Sequence, residues 1–171
     1  MSTEPTTCDE GGEAPCWAHL FADPTGPARP DIGGRDDIHV LVRDFYRQAA
    51  MDEILGPVFE RAKVDWNVHI AVLIDFWSWQ LLGERGYEGN PLRAHEPLHE
   101  RTPFTAAHYE RWLELFSGTI DDHFAGPVAE LAKGRGAKMA AAMRRLLDHG
   151  AEGGSDPGSA PAEPRWVAST R

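Results

Sequence analysis

The run WNVHIAVLIDFWSWQLL, residues 66–82, constrains the fold more than any other part of the chain. Trp66, Ile70, Leu73, Trp77 and Leu81 recur at the spacing of one helix face. Asp65 stands where an N-cap belongs, and Gly83 follows where a helix ends. His69 lies between Trp66 and Leu73 at helical offsets, so it turns toward the same buried side. An earlier stripe, Ile38, Leu41, Val42, Phe45 and Ala49, has Tyr46 at its border and Asp36 or Asp37 as its expected cap. Pro57 suits the first turn of a short helix through VFERA. Thr105 can cap a helix whose stripe is Tyr109, Trp112, Leu113, Phe116 and Ile120. A last helix, about 127–148, carries Val128, Leu131, Ala132, Met139, Met143 and Leu146, with Gly134 and Gly136 each weakening it by roughly 1 kcal/mol relative to Ala. Between the second and third of these stripes lie a loop, GERGYEGNP, and a short segment, LRAHE, expected to stop at Pro97. No segment alternates with a period of two, so the expected class is all-α.

The periodic part is 36–149, and both ends differ from it. Residues 1–35 hold six acids against Arg29 and Arg35, are rich in Thr, Pro and Gly, and show no period. Residues 150–171 have the same character, so both are expected to be disordered tails around one domain. Cys8 and Cys16 fall in the first tail, where they read as incidental residues or a tail disulfide or metal clip, and a reducing compartment fits. A net charge of −10 argues against nucleic acid and against an anionic membrane surface. No basic stretch followed by an apolar run opens the chain, and IAVLI at 70–74 is broken by Asp75, so a cytoplasmic location is expected.

The segment PLRAHEPLHER contains His95-Glu96-Pro97-Leu98-His99, the H-E-x-x-H pattern of zinc hydrolases. That chemistry needs both histidines on one face of a continuous helix with the glutamate as base. Pro97 is expected to interrupt the turn, because it lacks an amide donor and crowds the preceding carbonyl. The alternative is a single axial ligand: haem iron takes one imidazole from a short, anchored element beside an apolar slot. His95, flanked by Leu92 and Leu98, meets that requirement, although a lone histidine beside apolar residues is more often a half-buried surface group. Gas-binding haem also wants donors on the far side, and Tyr46, His69 and Trp112 are such groups on three different helices. Taken singly, each is as easily a core residue with a local hydrogen-bond partner.

The order FY at 45–46, LGPVF at 55–59, W..H at 66–69, FW at 76–77, Y.G.PL..H at 87–95 and WL.LF at 112–116 resembles the group III truncated haemoglobins over roughly 36–147. The resemblance implies a two-over-two globin sandwich around one haem b, with the helix before the iron ligand reduced to loop. It implies His95 as the proximal ligand, Tyr46, His69 and Trp112 as distal groups, and Phe59, Leu73 and Trp77 as walls beside Leu92 and Leu98. Arg93 and Tyr87 are offered as propionate neighbours. The implied function is binding of O2, with NO and CO, and distal donors worth about 1.5–3 kcal/mol each would slow release. The alternative is a haem enzyme, an NO dioxygenase or a peroxidase, served by a separate reductase, since no GxGxxG fingerprint is present. His69 reaching the iron in the absence of gas is a further possibility. His99, His108 and His123 stand outside the family pattern and read as surface groups or a second site.

Overall fold

The computed structural model describes residues 28–150, with side chains as far as Leu147. Six helices make up the fold, and no strand occurs among the described residues: α1 Arg35–Met51, α2 Gly56–Ala62, α3 Trp66–Leu82, α4 Pro91–Arg101, α5 Ala106–His123 and α6 Pro127–Gly150. Their packing follows from their faces. Helix α1 lies on α3, α5 lies on α6, and α1 crosses α5, so two helical pairs are laid one over the other. The expected stripe of α1 is buried in full, and Phe45 forms edge-to-face contacts with Trp112 at 5.3 Å and Phe116 at 5.4 Å. Phe116 in turn stacks on Trp77 at 4.7 Å and on Trp112 at 4.8 Å. This column joins α1, α3 and α5 at their crossing.

Helix α3 matches its expected span, capped by Asp65, whose carboxylate accepts from Asn67 and Val68 N–H, and ended by Gly83 in the left-handed region at φ 71°. Its buried face, however, is His69, Ile74, Phe76, Trp77 and Ser78, while Trp66 is 37% exposed. A helix covered by α1 on one side and facing a cleft on the other has no single apolar stripe. Residues 83–90 form the expected loop.

Four expectations need correction. Neither Asp36 nor Asp37 caps α1; Gly34 is the cap, and the Asp37 carboxylate reaches back to accept from the Gly33 and Gly34 N–H groups. Helix α4 does not stop at Pro97 but runs through it to Arg101. The proline forfeits one bond, to the carbonyl of exposed Arg93, and its fixed φ suits the helix. On α6, Leu131 and Leu146 are exposed, and the buried face is Ala129, Ala132, Gly136, Ala140 and Leu147. A Cβ at Gly136 would stand 3.0 Å from the Phe116 ring, so this face is built small to let α6 approach α5 closely. Gly134 is exposed with open space beside it.

Residues ahead of α1 also belong to the fold. Composition carries the expected tail to residue 35, yet Ile32 is 2% exposed in the core and the Pro30 carbonyl accepts from Ala125 N–H at 2.9 Å. Asp31 supplies the cap that α6 lacks in its own sequence: its carboxylate accepts from Val128 N–H at 2.9 Å and Ala129 N–H at 2.8 Å. Gly126, at φ 146°, permits this, because a Cβ there would fall 2.5 Å from the Asp31 carboxyl carbon. Residues 1–27 and 151–171, with both cysteines and the rest of the expected tails, lie outside the described residues.

Burial works to raise the Asp31 pKa, but the amides of Val128, Ala129 and Ile32 outweigh it and hold the carboxyl below its ordinary value. A lowered folded-state pKa means the contribution is present above the unfolded value of 3.8 and is lost as pH falls through the folded one. Asp31→Ala is expected to cost about 1–2 kcal/mol at pH 7 in urea unfolding, with the difference shrinking below about pH 4. On α6, Gly134→Ala is expected to stabilise by about 1 kcal/mol in the same assay, whereas Gly136→Ala, which crowds Phe116, is not.

Candidate functional site

Between α3, α4 and α5 the fold leaves a cleft enclosing, out to its open mouth, about 1140 Å³. Its lining is mainly apolar. Tyr46 from α1, His69 from α3, His95 from α4 and Trp112 from α5 all reach it, as do Phe59, Leu73, Trp77, Leu98 and Tyr87. Leu92, half-buried, and Arg93, exposed, are not among the lining residues. Side chains that the sequence did not single out for the site also line it: Phe76, Phe104, His108, Tyr109, Met139 and Met143. Tyr109 sits three residues before Trp112, and Phe76 three after Leu73, so helical offsets could have found both. Phe104 comes from the link between α4 and α5, where no periodicity points anywhere.

The polar groups of the cleft are oriented by local structure. Pro91 opens α4, with Asn90 capping it through a bond from Arg93 N–H. The Pro91 carbonyl accepts from His95 Nδ1 at 2.6 Å. A carbonyl can only accept, so Nδ1 carries the hydrogen, and in the neutral ring the lone pair resides on Nε2. Burial lowers the His95 pKa, and the Pro91 bond opposes that only in part.

Tyr46 is buried, and its oxygen accepts a hydrogen bond from the Trp112 indole N–H. Burial drives the phenol pKa well above its ordinary value, with the indole bond opposing, so Tyr46 stays protonated. Its ring meets His69 edge-on, with centroids 4.9 Å apart and planes at 89°, and Phe59 at 5.9 Å. His69 is 4% exposed; burial, with a further contribution from the charge His95 could carry, pushes its pKa down to about 3. Both imidazoles are therefore neutral at pH 7. A neutral imidazole with Nε2 as its acceptor is the form that ligates metal, and apolar walls suit a flat tetrapyrrole. The donor set fits haem.

Two further histidines, His99 and His123, have local partners. With α4 continuous, His95 and His99 stand four apart on one helix, so the break once expected at Pro97 does not separate them. His99, however, is 8% exposed, and its Nδ1 accepts from Phe104 N–H at 3.2 Å, which pins the turn after α4. No group of three or more His, Cys, Asp or Glu side chains gathers around a metal-sized space among the described residues. His123 Nε2 lies 2.8 Å from Asp44 Oδ2, joining α5 to α1.

The family model described as bacterial-like globin matches residues 30–144. A protein named group 3 truncated hemoglobin ctb, from Campylobacter jejuni, is 35% identical over 91 residues, 51% of this chain and 69% of that protein. A crystal structure of group III truncated hemoglobin from Campylobacter jejuni superposes with a TM-score of 0.64 at 29% identity, covering 74% of this chain and 99% of that one. The chain belongs to the bacterial-like globin family, and within it to the group III truncated haemoglobins. Membership brings a haem cofactor and haem-based binding of small gases. No helix among the described residues is long and apolar enough to cross a membrane.

The Tyr46–Trp112 bond can be measured without any cofactor. Tyr46→Phe leaves the indole N–H of half-buried Trp112 without its acceptor and is expected to cost about 1 kcal/mol in unfolding of the haem-free protein. Adding Trp112→Phe removes the orphaned donor, so the double variant is expected to lose less than the sum of the two single changes. Strict additivity would show that the bond is not formed.

Proposed function

We propose that the cleft holds one haem b with His95 as its iron ligand through Nε2, and that the protein binds O2, with NO and CO as further ligands. The observation that carries this reading is convergence: Tyr46, Trp112 and His69, from three helices, meet in contact in an apolar cleft that His95 enters from a fourth. When bound, haem supplies an iron centre that takes up a diatomic gas and builds negative charge on it.

The side chains then divide the work. His95 is held by the Pro91 carbonyl in the tautomer that presents Nε2. Trp112 spends its N–H on the Tyr46 oxygen, so it acts as a positioning residue, and the Tyr46 O–H hydrogen becomes the donor offered to a gas. His69, neutral and packed edge-on against Tyr46, closes the donor side and keeps water from it. Phe59, Leu73, Trp77 and Leu98 contribute apolar wall, which strengthens each polar contact by excluding solvent.

A buried donor of this kind slows release, and slow release favours turnover over transport. The second reading, an NO dioxygenase or peroxidase supplied with electrons by a separate reductase in the cytoplasm, draws its support from the Tyr46–Trp112 pair. Steady-state consumption of NO or peroxide with an added reductant separates the two.

In the reduced protein, His95→Ala is expected to abolish or badly disturb the Soret band and its shift on adding CO. Tyr46→Phe is expected to speed O2 release in stopped-flow by on the order of 10- to 100-fold, the equivalent of one charge-assisted hydrogen bond. An unchanged off-rate in Tyr46→Phe would remove the donor role.

A further inference from the structure

The ring contacts of the cleft wall continue past it to the surface. Tyr87, half-buried in the loop 83–90, lines the cleft and also a neighbouring cavity bordered by Trp79, Gln80, Arg135 and Lys138. Trp79 does not line the cleft. It is 46% exposed, and its ring stacks on Tyr87 with centroids 6.0 Å apart and planes at 25°, the offset geometry that aromatic pairs favour. Phe76 closes the group, edge-on to Tyr87 at 5.1 Å and tilted against Trp79 at 6.4 Å. An exposed indole on its own is ordinary. One stacked on a phenol that reaches the cleft forms a path.

Indole and phenol rings give up an electron more readily than any side chain except a thiol, and no cysteine lies among the described residues. Rings in contact pass the electron on. Each ring sheds a proton with its electron, so a relay also needs water within reach. Trp66, the other exposed tryptophan among the described residues, lies 6.3 Å from Tyr46. Tyr46, however, is 7% exposed and held protonated by burial, which leaves its proton without an exit. Burial raises the Tyr87 pKa too, but that ring is half-buried and open to water on one side. We propose that Tyr87 and Trp79 form an electron relay between the cleft and the surface, and that a one-electron donor delivers its electron at the Trp79 ring. The assignment deepens the haem-enzyme reading and rests on it.

Hydrogen peroxide reduced in the cleft takes up two electrons and two protons and leaves as two waters. Trp79 supplies the electrons one at a time through Tyr87, and at each loss its indole N–H proton passes to water. The donor then returns an electron to the ring and water returns the proton. Two donor molecules are thereby oxidised for each peroxide.

The test uses the full chain loaded with ferric haem, with Cys8 and Cys16 alkylated, and an equimolar amount of hydrogen peroxide. A nitroso spin trap captures the radical, and peptide mass spectrometry locates it. The label is expected on Trp79. Trp79→Phe is expected to move it to Tyr87, Tyr87→Phe to remove it from Trp79, and Trp66→Phe to leave it in place. Phenylalanine keeps the ring packing but resists oxidation, so a merely structural role would not move the label. With hexacyanoferrate(II), a donor whose charge suits the neighbouring Arg135 and Lys138, Trp79→Phe is expected to slow donor oxidation about tenfold or more, about 1.4 kcal/mol in the barrier. The proposal is overturned if the label falls on another tryptophan in place of Trp79, or if Tyr87→Phe leaves Trp79 labelled as before. It is equally overturned if Trp79→Phe leaves donor oxidation unchanged, or if peroxide alters the haem spectrum and labels no residue. A wild-type protein that takes up no haem would remove the reading of the cleft itself, and the relay with it.

Discussion

The column of Trp77, Phe116 and Trp112 couples the core of this protein to its site. Each ring belongs to the packing of α3 or α5, yet Trp77 and Trp112 also form part of the cleft wall. Phe45, set edge-on against Phe116 and Trp112, ties α1 into the column, and its neighbour Tyr46 is thereby delivered to the cleft with the Trp112 N–H already bonded to it. Close-packed aromatic rings have few alternative arrangements, so a shift of any one helix would move a side chain of the cleft. The approach of α6 is part of the same constraint, because Gly136 leaves room for the Phe116 ring.

The polar groups at the site are organised by helix ends and turns more than by side-chain networks. The first carbonyl of α4 orients His95, the start of α5 orients His108, and the turn after α4 takes up His99. At the start of α5 and in the turn after α4, backbone N–H groups lie without an intrahelical partner. The imidazoles meet that need while a chosen ring nitrogen remains for chemistry. At the far end of the molecule Asp31 does the same for α6, a bond across almost the whole length of the described chain.

Apolar surroundings have an electrostatic consequence. Burial keeps Tyr46 protonated and His69 neutral. The groups facing a gas would then be hydrogen-bond donors without net charge, able to respond to charge that develops on the ligand while remaining uncharged themselves. In a globin, that balance governs whether a pocket releases its ligand or holds it long enough to react.

The helices were legible in the sequence because their periodicity, caps and breakers are local. Asp65, Gly83, Thr105 and Pro127 marked boundaries that the structure keeps, and the ordered run of short motifs from Tyr46 to Trp112 was enough to name the family. Long-range choices were not legible. Nothing near Asp31 in sequence shows that it caps a helix almost a hundred residues away, and the small-residue face of α6 is silent to any count of large apolar side chains. Pro97 misled because its cost depends on which carbonyl loses its partner, here that of an exposed residue. The sequence by itself determined the elements and put forward the four groups proposed for the site, since propensity and motif act over a few residues. Only the tertiary structure decided how those groups meet, because the contacts of Tyr46 with Trp112 and with His69 join three helices and exist only once these have packed.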